Sequence, residues 1–323
     1  MLRKLFLFAL MIPFFVSCNN LDVVDSNDTK TEKQEIDSFY LKIDSVNEVY
    51  SSLSQMNASR GYFSDYAVSH AADAVGAFIG RKLFSWAGAA IGAACGNPAI
   101  AVGGYYAGGT LGTYAGSAAA SIGAAYYKHK FSTRSSSQNG FHLNENYVVA
   151  INNPDNLSDG ELHNIIVAKL LKNINKYVST DGNLNFKLLL EDAIEYEKEL
   201  YPEGDYTVEF KNIWLPKAVE QTTRIVNSSA LLFNANNDEF LEDVYAHLIP
   251  EIKISKVEFD NANILIKKSC STYMMLDEEN IKKYSTDIDN VIDNTTFNQE
   301  LKSDLKSSNN VLMNSTLIWK EVK

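Results

Sequence analysis

From Leu83 to Tyr127 the chain runs without one charged residue, although its 323 residues carry a formal net charge of -11. Glycines recur at every fourth position through this stretch and just ahead of it. They fall at Gly76 and Gly80, then Gly88, Gly92 and Gly96, then Gly104, Gly108, Gly112 and Gly116, with Ala120 and Ala124 continuing the last series. Residues four apart share one helix face, so each series makes a smooth strip that a second backbone can approach closely. A glycine costs a helix about 1 kcal/mol relative to alanine. A sequence that accepts this cost repeatedly recovers it through close packing, or in lipid, where a helix satisfies its own backbone hydrogen bonds.

The run Cys95-Gly96-Asn97-Pro98 divides the stretch. Gly96 suits a helix C-cap, Asn97 is biased out of the helical region by the proline after it, and Pro98 suits the first turn of a new helix. A helical hairpin over residues 71–130 follows, with Asn97 and Pro98 at its turn. Arg81 and Lys82 precede the charge-free stretch and Lys128, His129 and Lys130 follow it, so the basic groups share one end, the arrangement of a membrane hairpin with its charges at the headgroups. The arm from Ala99 to Tyr127 reaches roughly 43 Å, enough for a ~30 Å hydrocarbon core, whereas Leu83 to Cys95 reaches only about 20 Å. Large aliphatic residues are sparse in both arms, so insertion of a lone hairpin is marginal and assembly between copies is the expected remedy.

These repeats resemble the glycine zippers of Gram-negative envelope lipoproteins of the seventeen-kilodalton surface-antigen type, and those of secreted bacterial toxins and bacteriocins. The resemblance covers residues 76–124 and implies oligomerisation or insertion rather than an active site. The chain's beginning agrees in kind. A basic start, Arg3 and Lys4, is followed by an apolar run from Leu5 to Val16, the layout of a secretory signal over residues 1–17. Phe15-Val16-Ser17-Cys18 looks like a lipobox, which implies lipidation of Cys18 and a place in the cell envelope, at the outer membrane or cell surface. Residues 18–35 are polar, acidic and free of aromatics, and read as a disordered tether.

Loss of Arg3 and Lys4 with the signal leaves 27 basic residues against 40 acidic ones, a balance near -13. Such a surface disfavours nucleic acid. Membrane lipid and further copies of the chain are the partners that the hairpin implies; any protein partner is not named by the sequence. Cys95 and Cys270 form no disulfide framework, and without short cysteine spacing no zinc site arises. No cofactor is expected.

The remaining elements read as mainly α. Over residues 36–58, Ile36, Phe39, Ile43, Val46, Tyr50 and Leu53 form one apolar helix stripe, suited to packing on the chain's own domain. A polar linker at 131–140 leads to a mainly helical domain at 141–323. There Asn153-Pro154 makes a turn, Ser158 and Glu161 form a capping box, and Leu162, Ile166, Leu170, Ile174 and Tyr177 share a face. The pattern Asn153-Pro154, Gly160 and Leu162-His163-Asn164 looks like a theme of Gram-negative envelope proteins and implies no activity. Further helices are expected at 184–200, 216–233, 238–249, 259–276 and 295–320, while 206–215 and 251–259 alternate well enough for a short β hairpin.

Candidate chemistry is thin. His163 has no nucleophile positioned for it by sequence, and His70, His129, His142 and His247 are isolated. Asp181, Asn183 and Asn185 begin like a calcium loop, but Phe186 stands where that loop needs glycine. Glu191, Glu195 and Glu199, and Asp287, Asp289 and Asp293, read as solvated faces. No nucleophile elbow, phosphate loop or zinc-protease motif appears, so no enzyme is expected. Two uses fit the chain: an envelope lipoprotein whose hairpin inserts into a membrane and self-assembles, as a pore-forming or antibacterial factor or as a structural element, and a lipid-tethered binding module with the hairpin inside its own core.

Overall fold

The computed structural model describes residues 28–54, 67–94, 98–132, 143–148, 157–200, 210–228, 237–250 and 252–319. It is mainly helical. In chain order the helices are α1 (Asp28–Ser54), α2 (Ala67–Ala94), α3 (Pro98–Ser132), α4 (Asp159–Lys172), α5 (Ile174–Tyr177), α6 (Phe186–Leu200), α7 (Leu215–Ser228), α8 (Asn237–Ala246), α9 (Lys256–Met275), α10 (Glu278–Asp293) and α11 (Gln299–Ile318). A 3-10 turn, Glu145–Tyr147, precedes α4, and a π turn, Phe210–Trp214, leads into α7.

Local chemistry sets most of these boundaries. The expected capping box at Ser158 forms, with Glu161 Oε2 accepting from the Ser158 amide at 2.8 Å. A second box opens α9, where Glu258 Oε2 accepts from the Ser255 amide at 2.9 Å. Asp277 and Asn298 cap α10 and α11 through the amides of Asn280 and Leu301, at 2.9 and 2.8 Å. Each cap satisfies backbone donors that the first helical turn leaves open.

Several expectations require correction. Helix α1 begins at Asp28 rather than Ile36, because Lys30, Glu32, Lys33, Gln34 and Glu35 are good helix formers and extend the amphipathic segment towards the N-terminus. Helix α10 was not anticipated. Its acidic residues hide a stripe of Ile281, Tyr284, Ile288 and Ile292, all of them buried. No β hairpin forms among the described residues; the only pairing there is an isolated bridge between Val178 and Leu184. The second alternating run instead divides between residues 252–255, where the Ile254 amide donates to the Ile252 carbonyl in a tight turn, and the start of α9.

The bridge closes the turn once compared with a calcium loop. Gly182 takes the left-handed conformation there, φ 75°, while Asp181 accepts from Asn183 Nδ2 at 2.8 Å. Hydrogen bonds from Ser179 and Asn183 hold the Asp181 carboxyl below its ordinary range. No group of three or more metal-ligating side chains occurs among the described residues.

Hairpin and C-terminal helices share one apolar core. Phe78, Ile79, Leu83 and Phe84 of α2 and Leu111, Tyr114 and Ile122 of α3 join Leu162, Leu190, Ile225, Leu265 and Leu312 in it. Trp319, wholly buried at the end of α11, donates its indole N–H to Ser121 Oγ of α3 at 3.2 Å. On the far side α1 packs along α9 and α10. Phe39 meets Phe297 edge-on with ring centroids 5.3 Å apart, and Asn47 receives the hydroxyl of Tyr284 at 2.6 Å while donating to the Lys268 carbonyl at 3.1 Å. Replacement of Trp319 by alanine is expected to cost about 3–5 kcal/mol. Because the core is continuous, urea unfolding followed by both far-UV dichroism and fluorescence should retain one shared transition at a lower midpoint.

Candidate functional site: the seam around the hairpin

The hairpin's arms meet glycine to glycine within one chain. A Cβ added at Gly76 would lie 2.9 Å from the Gly116 carbonyl oxygen and equally close to the Ala120 Cβ. One added at Gly116 would lie 3.0 Å from the Gly76 carbonyl and 3.2 Å from the Gly80 Cα. Gly80 and Gly112 are closer still, each facing the other's carbonyl. Only a residue without a side chain fits such an approach. Gly108 is buried in α3, and Gly88, Gly92 and Gly104 occupy helical positions of α2 and α3. Pro98 opens α3 as expected. Gly96, Asn97 and Cys18 lie outside the described residues, as do the side chains of Lys128 and Lys130.

The basic residues ahead of the charge-free stretch are turned into the body of the protein. Arg81 Nε donates to Asp304 Oδ1 at 2.7 Å, and its other nitrogens reach Ser307 at 3.1 Å and Ser303 at 3.0 Å. Lys82, only 2 % exposed, places Nζ 2.6 Å from Glu300, 2.8 Å from Asp304 and 3.3 Å from Glu258. Asp159, 3.9 Å from Arg81, completes the cluster. Asp159, Glu258 and Glu300 stand in the first turns of α4, α9 and α11. Acidic residues are favoured at helix N-termini, so three helix starts converge on the two cations of α2. Burial works against the Lys82 charge, yet Asp304, Glu300 and Glu258 outweigh it and hold the ammonium above the ordinary lysine range. Burial also lifts the Asp304 carboxyl above its usual range against the pull of Lys82 and Arg81.

A second polar cluster lies deeper. Asp73 of α2, Ser117 of α3 and His163 of α4 are 0 % exposed, and His70 and Ser315 are buried beside them. His163 Nδ1 is 2.8 Å from Ser117 Oγ, and its Nε2 is 3.5 Å from Asp73 Oδ2. Ser315 Oγ donates to Asp73 Oδ2 and lies 2.9 Å from His70 Nδ1. Neither histidine is therefore isolated, and His163 has a hydroxyl beside it, contrary to the sequence reading. These residues are scattered over 246 positions; the visible trace was a histidine and an aspartate three apart, His70 and Asp73, among the small and apolar residues that open α2. A serine, a histidine and an aspartate in a row invite comparison with a nucleophile relay. Here the serine hydroxyl lies within reach of the Thr113 and Tyr114 carbonyls of its own helix as well as of His163, and serine, histidine and aspartate are all wholly buried. The arrangement joins helices.

The acidic face of α10 is likewise structural in part. Asp287 accepts from the Tyr50 hydroxyl at 2.8 Å and Asp289 from Asn309 Nδ2 at 2.9 Å, tying α10 to α1 and α11. A cleft of about 510 Å³ lies between the 3-10 turn, α4, α10 and α11. Its polar groups are largely engaged with one another: Asn310 accepts from the Gly160 amide at 2.7 Å, Asn314 donates to the Asn310 carbonyl at 3.0 Å, and Glu161 serves its cap. Gly160 permits this contact, since a Cβ there would strike Asn310 and Asn314.

No known family, curated protein or solved structure matches this chain. Among the described residues no helix is long and apolar enough to cross a membrane. Helix α3 has the length, at 35 residues, but its glycine, alanine and hydroxyl-bearing residues supply little apolar surface, and α2 carries Asp73, Arg81 and Lys82.

Two predictions arise from this geometry. Gly112→Ala gains about 1 kcal/mol in helix propensity but drives its methyl into Gly80 and Phe84, so a net loss of roughly 1–3 kcal/mol is expected in the urea midpoint. The second concerns alkaline pH. Burial pushes the Cys270 thiol from 9.0 up to about 12, burial and the Asp287 contact push Tyr50 from 10.0 up to about 12, and Tyr273 is raised well above 10.0 by burial. The unfolded chain loses these protons first, so stability is complete below about pH 9 and falls as the pH rises towards 12. Urea midpoints measured between pH 8 and 11 should decline steadily above pH 9.

Proposed function

We propose that this chain is a cell-envelope lipoprotein, anchored through Cys18, in which a helical body serves as a binding or structural module and the glycine-rich hairpin belongs to that body's own core. The observation that carries this reading is the occupancy of the hairpin's faces. Gly76 and Gly80 are already matched to Gly112 and Gly116 within one chain, and Arg81 and Lys82 are neutralised by Asp304, Glu300 and Glu258. A hairpin so placed has no glycine pairing left to complete at that end, and its cations need no phosphate. The module's partner is a protein or envelope component met by the body's acidic exterior. We assign it no reaction.

A second reading has a specific observation of its own. Residues 83–127 carry no charge, and the hairpin meets the body partly through polar and ionic side chains. In this reading the hairpin leaves the body, enters a membrane and assembles with other copies as a permeabilising, antibacterial factor.

Liposome flotation with dye release separates the two, using the Cys18→Ala protein made without its signal. The module reading expects a protein that stays with the aqueous fraction and releases no dye. Flotation with leakage would overturn it in favour of insertion.

A further inference from the structure

The cleft between the 3-10 turn, α4, α10 and α11 closes most of its bonds on itself, and what those bonds leave over is unbalanced. Asp289 Oδ1 accepts from Asn309 Nδ2 at 2.9 Å, while its Oδ2 has no hydrogen-bond partner among the described residues. Lys306, the lysine whose charge reaches Asp289, is paired with Asp293 instead. Burial therefore lifts the Asp289 carboxyl above its ordinary range, against the Asn309 bond and the pull of Lys306. Glu161 spends Oε2 on the Ser158 amide and hydroxyl, at 2.8 and 2.9 Å, and no described basic side chain pairs with it. Asn314, only 6 % exposed, lines the cleft and gives Nδ2 to the Asn310 carbonyl. Its Oδ1 accepts no hydrogen bond from a described residue, and an acceptor so placed is satisfied by a donor from outside the chain.

These groups are spread along the cleft in a definite order. At one end Asp289 is tied to Asn309, and Glu161 follows Gly160, whose amide bonds Asn310. Asn314 lies one turn further along α11. At the other end Tyr147 donates its hydroxyl to Glu278, which also pairs with Lys282 at 3.3 Å. Lys282 is the only basic side chain in the described lining, so one cation faces the three carboxylates of Glu161, Glu278 and Asp289, and two negative charges stay uncompensated. Met313 and Leu317 supply apolar surface beside Asn310 and Asn314, and the lining of α11 from Asn310 to Leu317 covers about 10 Å. The volume of about 510 Å³ falls within the ~300–1,000 Å³ of small-molecule sites. A neutral polyol would leave the two charges unanswered; a chain of methylenes with an ammonium at each end answers both.

We propose that this cleft binds an aliphatic polyamine, with one ammonium at Asp289 and Glu161, a donor to Asn314 Oδ1, and the methylene chain over Met313 and Leu317 towards Glu278.

The inference goes beyond the reading of function above, which names no small ligand, and it holds whichever way the hairpin behaves at a membrane. Each ammonium–carboxylate contact is a charge-assisted hydrogen bond in a partly desolvated place, so Asp289 carries more of the affinity than an exposed acid does.

Spermidine is the probe. Titrated into the mature chain carrying Cys18→Ala, with its methionine methyl groups labelled by carbon-13, it should move the Met313 signal along one saturable curve; Met313→Leu identifies that signal. Asp289→Asn keeps an acceptor for Asn309 and removes the charge, and is expected to weaken binding on the order of tenfold or more. Glu220→Gln, at an exposed acid of α7 outside the cleft, should leave the affinity unchanged. Equal weakening by the two substitutions would overturn the proposal, because it would mean that the polyamine spreads over the acidic surface. A trilysine peptide that moves Met313 where spermidine does not would overturn it in favour of a basic protein segment. The unsubstituted chain decides the matter even where a variant fails to fold: a Met313 signal that stays fixed throughout the spermidine titration would overturn the site.

Discussion

The contact between Gly80 and Gly112 is the constraint on which the arrangement depends. Two helices can approach with backbone against backbone only where side chains are missing, and the four-residue spacing of Gly76 and Gly80 matches that of Gly112 and Gly116 in antiparallel register. The conformational freedom that these glycines give up is recovered by dense packing along the seam. Once the arms are this close, their outer faces become a narrow wall around which the other helices gather: α4, α6 and α7 beside α3, and α9 and α11 beside α2. The hairpin is the centre of the fold as well as its most unusual segment.

Charge is placed according to that geometry. Arg81 and Lys82 stand where the first turns of α4, α9 and α11 converge, so each helix start contributes a carboxylate where its dipole favours one. Asp73 and His163 lie further in, where no water reaches, and their neighbours are hydroxyls and a second histidine. Buried polar and ionic contacts of this kind, that of Lys82 with Asp304 above all, add little net stability but penalise every arrangement that leaves one partner alone. They fix which way the hairpin faces, a choice that alternating glycine and alanine strips would leave loosely specified.

What was legible in the sequence was local. The period of four, the helix start at Pro98, the capping box at Ser158 and the apolar stripe of Phe39, Ile43 and Tyr50 each depend on residues within a few turns of one another, and each recurs in the structure. Helix α10 escaped notice because its buried Ile281, Tyr284, Ile288 and Ile292 are interleaved with a conspicuous run of acids. The polar seam escaped for another reason. Asp73, Ser117, His163 and Ser315 come from four helices, and nothing about any one of them announces the others. The glycine strips also left their partner open, since small-residue periodicity specifies close approach without specifying whether the second backbone comes from the same chain or a neighbouring copy.

That choice is the centre of the account, and isotope-filtered nuclear Overhauser spectroscopy addresses it directly. In a uniformly labelled sample the α-protons of Gly80 and Gly112 should show a strong cross-peak. In a mixture of labelled and unlabelled chains, filtered for contacts between different molecules, the same cross-peak should be absent. Its appearance in the filtered experiment would mean that the glycine seam joins separate copies, and the hairpin would no longer be the core of a single chain.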